Sequence, residues 1–380
     1  MKYKRRSIAI VILVSAFLIS CAGQAPGVDT GTPAGEPAAF TVGMLGQGAP
    51  TSSSYVNTKA VVEAAGGRLV TEGHNSTPES RIAAFERLIA AGCDGIIVIP
   101  TSDTALPFIV EMCEEAGVYW VISMRSIHDI RIRQQVEASP YFVGSVMEND
   151  EAVGYDIMCV LGEQGAKKVA VLSISTLDTT GAARERGMNF AAEEYDMDVV
   201  AIIRNSRRSE DTSTTVESLM NAYPDLDAVF RVATYGAGAS TAAMNAIWDA
   251  GKAGQIHYAT SDIEQGMDVF FDRGMVSVAT GGHIPFDSSL AAALLVNTLM
   301  GTPLKEDGPV TLHINPIMFR SGDEMREYYK AVEDGAALFS EETAKQKLLK
   351  WNNPNLTVQS FQELIDAYST NIILEWKYAS

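Results

Sequence analysis

The chain has 380 residues, of which 47% are hydrophobic and 20% charged, so it is long enough to bury the cores of two domains of ordinary size. Its four cysteines are too few for a disulfide-stapled scaffold, and its hydrophobic content excludes a disordered chain. The formal net charge of −18 opposes nucleic-acid binding, and no basic patch with interleaved aromatic residues offsets it.

The first 20 residues have the pattern of a secretory signal peptide, which we assign to residues 1–20. Basic side chains within residues 2–6 precede a mostly apolar run, residues 7–20, that is shorter than the roughly 20 residues a membrane-spanning helix needs. The run ends in the letters LISC, which resemble a bacterial lipobox. We therefore expect Cys21 to be lipidated; the alternative is an ordinary cleaved signal followed by a chance cysteine.

Residues 21–39 are rich in Gly, Pro and Ala and predict a flexible tether. An anchor and a tether would hold the folded body outside the cytoplasm at a bacterial membrane, in the periplasm or on the cell surface. The remaining cysteines, Cys93, Cys113 and Cys159, lie in apolar segments and are interpreted as small buried thiols. The alternative is one disulfide between two of them.

From residue 40 onward, short apolar runs alternate with helical patterns. The helix with the clearest boundaries covers residues 77–91, where Thr77 can cap, Pro78 suits the first helical position and Gly92 supplies the stop. This order predicts an α/β fold with parallel sheets, either a closed eight-stranded barrel or two open doubly wound lobes. The predicted strands cover residues 69–71, 96–99, 121–123, 169–173, 199–203, 228–232, 256–259 and 276–279.

Residues 40 to about 312 resemble the type I periplasmic solute-binding proteins, the ribose- and galactose-binding group, whose fold also forms the sensor domain of lac-repressor-like regulators. The resemblance is carried by the letters DGIIVIPTSD (94–103), TTGAARERGMNF (179–190) and YPDLDAVF (223–230), by Ser261-Asp262 and by His283-Ile284-Pro285. It implies two similar doubly wound lobes joined by three crossings, with a ligand held between them.

The resemblance places the crossings near Gly144, Gly282 and Leu312. The N-terminal lobe would then comprise residues 40–144 and 283–311, and the C-terminal lobe residues 145–282 and 312–319. Residues 320–380 extend beyond the usual end of the family. They predict helices at 323–332, 341–351 and 357–368, with Trp351, Trp376 and Tyr378 available to pack the extension on a lobe.

Two arginines are the leading ligand-binding candidates. Arg125 ends a predicted strand, and Arg184 lies near the start of a predicted helix, where its positive charge opposes the helix dipole. Each could instead make an ordinary salt bridge. The resemblance matches both to ligand-binding arginines of the ribose-type proteins, and we expect them to face each other across the cleft and grip one solute.

The resemblance also matches Asp262 to a cleft carboxylate, alternatively an N-cap, and His283 to a polar contact near the hinge. The first βα turn, GQGAPTSSSYVN, offers Gln47 and Thr51 but lacks the aromatic rings that the family's sugar sites usually carry there. The pair Arg207–Arg208 lies where another ring is expected, unless it is a solvated surface run. These departures favour a less apolar and even anionic solute.

Enzyme and cofactor patterns are weak. The five histidines never reach H-x-x-x-H spacing and C-x-x-C is absent, so we expect neither a metal nor a cofactor. The most consistent function is a monomeric, lipid-anchored solute-binding protein for a sugar or sugar-like ligand that serves an ABC-type permease. The alternatives are a subunit that presents its closed form to a chemoreceptor or sensor kinase, and a hydrolase.

Replacing Cys21 by Ala should release the protein from the membrane or mislocalise it, because the acyl acceptor is lost, and should leave solute binding by the folded body unchanged. Fractionation with a lipid label measures this outcome. Retention of both the label and the membrane association by the variant would show that the lipobox interpretation is wrong.

Overall fold

Two sheets organise the part of the chain that the structure describes. The structure is a computed structural model and describes residues 40–45, 51–73, 77–100, 102–176, 178–204, 209–233 and 238–378. These residues all belong to one compact unit, Ala38–Ser380. The predicted signal peptide, the tether and Cys21 lie outside the described residues.

The first lobe alternates strands and helices. Its strand β1 is buried at every position, as a strand covered on both faces must be, and Thr77 accepts a hydrogen bond from the Ser80 amide at the start of the predicted helix. The elements are β1 (Thr41–Leu45), α1 (Ser53–Ala64), β2 (Arg68–Glu72), α2 (Pro78–Ala90), β3 (Gly95–Val98), α3 (Leu106–Ala116), β4 (Tyr119–Ser123), α4 (Ile130–Ala138) and β5 (Phe142–Glu148).

The second lobe repeats the alternation and ends in the strand that leads back to the first. The predicted strands of both lobes coincide with observed ones. The elements are α5 (Asp150–Glu163), β6 (Lys168–Ser173), α6 (Thr179–Glu194), β7 (Asp198–Arg204), α7 (Ser209–Ala222), β8 (Ala228–Arg231), α8 (Ala239–Asp249), β9 (His257–Ser261), α9 (Asp268–Asp272) and β10 (Val276–Gly281).

The chain then returns to each sheet in turn through α10 (His283–Leu299), β11 (Val310–Ile314) and β12 (Ile317–Phe319). The first sheet has the order β11-β5-β4-β3-β1-β2 and is parallel throughout. The second has the order β12-β10-β9-β8-β6-β7, and only β12 runs antiparallel. The fold is therefore the expected pair of doubly wound α/β lobes, not a closed barrel.

The crossings between the sheets differ from the predicted positions at two of three points. The chain leaves the first sheet after Glu148, returns at Gly282 and leaves again after Ile314. Gly144 pairs with Val310 inside the first sheet, and the same parallel ladder continues to the end of both strands. The predicted boundaries at 144 and at 311–312 are therefore wrong by a few residues, because β5 and β11 extend the first sheet past them.

The described cysteines are free thiols. Cys93 and Cys113 are buried, as predicted, and burial raises the pKa of the Cys93 thiol to about 11. Cys159 is half-buried. Among the described residues, no helix has both the length and the apolar character needed to cross a bilayer.

Four helices form the C-terminal extension: α11 (Gly322–Val332), α12 (Glu341–Lys347), α13 (Val358–Ala367) and α14 (Thr370–Tyr378). The first three lie on predicted helical segments, and α14 was not predicted. Trp376 is 1% exposed and stacks on Phe339 at 4.7 Å between ring centroids. Trp351 and Tyr378 are 63% and 67% exposed, so the predicted packing role is wrong for these two residues.

The extension touches both lobes beside a crossing. Arg326 on α11 forms ion pairs with Asp268 and Asp272 of the second lobe. The Leu338 amide donates to Asn57 Oδ1 of the first lobe at 2.7 Å. The Tyr368 hydroxyl donates to the Gly282 carbonyl oxygen, at the crossing itself. The extension therefore bridges the two lobes.

Replacing Trp376 by Ala should lower the free energy of unfolding by about 3–5 kcal/mol, because a fully buried indole leaves a cavity. Denaturant unfolding measures the loss. The matched control is Trp351→Ala, an exposed indole whose removal should change the free energy by about 0.5 kcal/mol or less. Equal effects of the two substitutions would contradict the packing of the extension described above.

Candidate functional site

A cavity of about 610 Å³ lies between the lobes, at the carboxyl ends of their strands. In open α/β sheets this edge is where ligands bind. The wall combines residues of the first lobe, the crossings, the second lobe and the extension. Residues from the four regions include Thr51, Met124 and Arg125; Glu148 and His283; Thr180, Arg184 and Asp262; and Tyr328, Tyr329 and Lys377.

Strained backbone occurs on both sides of this cavity. Met124 follows β4 with φ 64°, and Asp262 follows β9 with φ 72°. Residues other than glycine rarely adopt this left-handed backbone conformation. It costs on the order of 1–3 kcal/mol and is concentrated at functional sites. Each residue follows the corresponding fourth strand of its lobe, so both lobes strain the backbone at matching positions of the cavity wall.

Arg125 connects the two lobes across the cavity. It follows Met124 in the first lobe, and its Nη1 donates a hydrogen bond to the hydroxyl of Thr180, which lies in the first turn of α6 in the second lobe. The predicted cleft position of Arg125 thus coincides with a direct interlobe contact.

Arg184 has a different environment from the one its sequence position suggested. Helix α6 begins at Thr179 with Asp178 as N-cap, so Arg184 lies in the second turn and its predicted conflict with the helix dipole is wrong. The side chain is 2% exposed. Its Nε donates to Asp150 Oδ1 at 2.9 Å, and its Nη2 to Glu148 Oε2 at 2.6 Å.

The third nitrogen of Arg184, Nη1, donates to the Val232 carbonyl oxygen at 2.9 Å. Arg184 lines the cavity, but every guanidinium nitrogen already donates to a protein acceptor. Its side chain therefore joins the end of β5, the start of α5 and the segment after β8. Of the expected cross-cleft pair, Arg125 contacts the other lobe, whereas Arg184 is buried and paired with Glu148 and Asp150.

Close packing of α5 against α6 brings the Arg184 cluster together. A Cβ atom at Gly154 would lie 1.9 Å from the Arg184 carbonyl oxygen, and one at Gly187 would lie 1.8 Å from the Glu151 carbonyl oxygen. Real side chains do not tolerate such distances, so only glycine permits this approach. Asp150, at the start of α5, can therefore reach the Arg184 guanidinium.

Glu148, His283 and Asp287 form an adjoining buried cluster. His283 begins α10, and its Nε2 lies 3.1 Å from Glu148 Oε1. Asp287 is one turn further along α10 and 0% exposed, and no donor among the described residues reaches either of its carboxylate oxygens. Ligand atoms from these three residues all lie within 4.8 Å of one another.

Burial and charge act against each other in this cluster. Burial opposes protonation of His283, but the nearby Glu148 carboxylate outweighs it and raises the imidazole pKa to about 9. Burial likewise opposes ionisation of Glu148, but the charges of His283 and Arg184 hold its carboxyl pKa below the ordinary value. Burial raises the pKa of Asp150 to about 7, despite its contact with Arg184. Desolvation therefore competes with pairing throughout the cluster.

The other predicted site residues divide into two groups. Thr51, Asp262 and His283 all lie on the cavity wall. Asp262 is not the N-cap of the next helix, because α9 begins only at Asp268. Gln47 and the pair Arg207–Arg208 lie outside the described residues.

Sequence reasoning missed Asp150 and Asp287 as members of the site. The available sign for Asp287 was the spacing H-x-x-x-D at 283–287, which places both side chains on one face of a helix, whereas only H-x-x-x-H had been considered. Tyr329 was also missed: it lines the cavity from the extension, and its hydroxyl is buried without a partner among the described residues.

Comparison with known proteins identifies one family and many similar folds. Residues 53–302 match the family model described as periplasmic binding protein domain. The ribose import binding protein of Bacillus subtilis (strain 168) is 22% identical over 233 residues, which cover 60% of this chain and 72% of that protein.

Among solved structures, a periplasmic sugar-binding protein from Pseudomonas fluorescens has a TM-score of 0.68 at 16% identity, covering 85% of this chain and 99% of that one. An ABC transporter periplasmic solute-binding protein from Actinobacillus succinogenes 130z, with bound D-allose, has a TM-score of 0.64 at 17% identity, covering 76% and 100% respectively. At these identities the solved structures establish the fold.

Replacing Arg184 by Ala should lower the free energy of unfolding by about 3–5 kcal/mol, because Glu148 and Asp150 lose a buried cationic partner. The matched control is Arg186→Ala on the same helix, whose ion pair with Glu151 is about half exposed and should contribute about 1 kcal/mol or less. Urea unfolding compares the two variants. A small loss for Arg184→Ala would contradict the buried role that its hydrogen bonds indicate.

Proposed function

Because the chain belongs to the periplasmic binding protein domain family, we propose that it is a membrane-anchored solute-binding protein that traps a small polar solute between its lobes for an ABC-type importer. We propose a sugar or sugar-like solute, neutral or anionic. Members of this family are binding proteins of transport systems and not enzymes, and family membership implies that the folded part works outside the cytoplasm.

The observation that carries the proposal is the cavity whose wall includes polar side chains of both lobes. Arg125 comes from the first lobe, and Thr180 and Asp262 come from the second. A guanidinium group donates to hydroxyl or carboxylate oxygens, and a carboxylate accepts from hydroxyl groups. A solute with several hydroxyl groups can use both kinds of partner at once.

Contacts from both lobes are what would allow a solute to favour the closed arrangement. A ligand shifts a conformational equilibrium only by the difference in its affinity for the two states. A solute that touched one lobe alone would have little such difference. The hydrogen bond from Arg125 to Thr180 lies at the cavity wall, where a bound solute could exchange contacts with either partner.

The named ligands of similar proteins support the choice of solute class. One similar structure contains D-allose, another contains myo-inositol, and the curated relative is named for ribose import. Each of these is a small compound with several hydroxyl groups. The anchor in the proposal rests on the basic segment, the apolar run and Cys21, as argued from the sequence.

A thermal-shift screen of pentoses, hexoses, sugar acids, polyols and nucleosides on the purified protein tests the proposal. A ligand that binds only the native state should stabilise it by about 2.7 kcal/mol at 100 times its dissociation constant. We expect at least one sugar or sugar derivative to raise the melting temperature in proportion to the logarithm of its concentration. A flat response to every class would refute the proposed solute.

Replacing Arg125 by Ala should weaken binding of the solute found in this screen by roughly one to two orders of magnitude, through loss of charge-assisted hydrogen bonds. Calorimetry on the variant and on Arg131→Ala measures this. Arg131 is also in the first lobe, but its side chain is 89% exposed, so its removal should leave affinity unchanged. Unchanged affinity in Arg125→Ala would move the site assignment to Asp262 and Thr180.

A further inference from the structure

The end of β5 and the start of α10, each at a different crossing between the sheets, bring three ligand-type side chains together. Glu148 ends β5, whereas His283 and Asp287 lie one turn apart on α10. We propose that Glu148, His283 and Asp287 form a binding site for a divalent transition-metal ion such as Zn²⁺. This site goes beyond the proposed solute-binding function, because the ion would bind in the absence of solute.

Asp287 provides the observation that points to a ligand. Its side chain is 0% exposed, and neither carboxylate oxygen receives a hydrogen bond from a described residue. An ionised carboxylate buried without a partner is strongly unfavourable. A metal ion would satisfy the carboxylate directly.

His283 adds an imidazole nitrogen to the same cluster as a second ligand atom. Its side chain is buried, its Nδ1 has no partner among the described residues, and its Nε2 faces Glu148 Oε1 at 3.1 Å. Tetrahedral zinc with bonds of about 2.1 Å sets its ligand atoms about 3.4 Å apart. The Nε2–Oε1 distance is about 0.3 Å shorter than this spacing, and the limit of 4.8 Å for the whole triad requires a contraction of at most about 1.4 Å.

The donor set selects the class of metal. One imidazole nitrogen and two carboxylate oxygens suit Zn²⁺, Co²⁺ or Mn²⁺, whereas Ca²⁺ and Mg²⁺ prefer oxygen ligands alone.

Arg184 is suited to orient one of the metal ligands. Its Nη2 holds Glu148 Oε2 at 2.6 Å, which leaves Oε1 directed toward His283. Such outer contacts fix ligand geometry at metal sites. Glu148 and His283 also line the cavity, so a metal bound here would have its open coordination position on the solute side.

The test uses chelator-treated protein without a polyhistidine tag, titrated with ZnCl₂ alone in a calorimeter. We expect one Zn²⁺ per chain. The variants Asp287→Asn and His283→Gln should each weaken binding at least tenfold, since each removes a ligand. The control His313→Gln changes an exposed histidine on β11 and should bind as the original protein does.

Absence of a stoichiometric site in the original protein would overturn the proposal, as would unchanged Zn²⁺ affinity in both folded variants. If the variants fail to fold, anomalous diffraction from crystals of the original protein soaked in Zn²⁺ decides. A peak between the three side chains supports the proposal, and its absence there refutes it. No sugar is present in these experiments, so their outcome is separate from that of the solute screen.

Discussion

The guanidinium group of Arg184 is the interaction on which the arrangement of the site depends. Its three nitrogens reach the end of β5, the start of α5 and the segment after β8. The chain crosses between the sheets directly after β5, so the same side chain fixes the geometry of a crossing and of the cavity wall. Separating a buried ion pair leaves a buried charge without a partner, which is strongly destabilising. The cluster therefore favours the one arrangement in which Arg184 keeps its carboxylate partners.

The extension adds a constraint that acts from outside the lobes. Arg326 joins α11 to α9 of the second lobe through ion pairs. In contrast, the Leu338 amide donates to Asn57 on α1, and the Trp376 ring packs against Phe286 on α10, both in the first lobe. Any change in the angle between the lobes must therefore alter contacts of the extension or bend it between α11 and Leu338. The Tyr368 hydroxyl also donates to the Gly282 carbonyl oxygen, so the extension is attached to one of the crossings about which the angle between the lobes would change.

The strands and helices were predictable from the sequence, because apolar strand runs and capped amphipathic helices are local patterns. The choice of two lobes over a closed barrel came from the resemblance to the periplasmic solute-binding proteins. The cavity positions of Arg125 and Asp262 were predictable too, since each lies within two residues of the carboxyl end of a strand. The burial of Arg184 was not: its acceptors Asp150, Glu148 and Val232 lie 34, 36 and 48 residues away along the chain. The close approach of α5 and α6 through Gly154 and Gly187 depends equally on tertiary packing.

The boundaries of the lobes were misjudged for a related reason. The length of β5 is set by its pairing with β11, which lies more than 160 residues later, and not by any local stop. That pairing carries Glu148 to the end of the strand, beside His283 and Arg184. Had the chain crossed to the second sheet near Gly144, as predicted, Glu148 would not end a strand of the first sheet. The last residues of β5 therefore place Glu148 both at a crossing between the sheets and on the cavity wall, beside Arg184 and His283. The pairing of the first sheet thus determines the position of a charged group of the site.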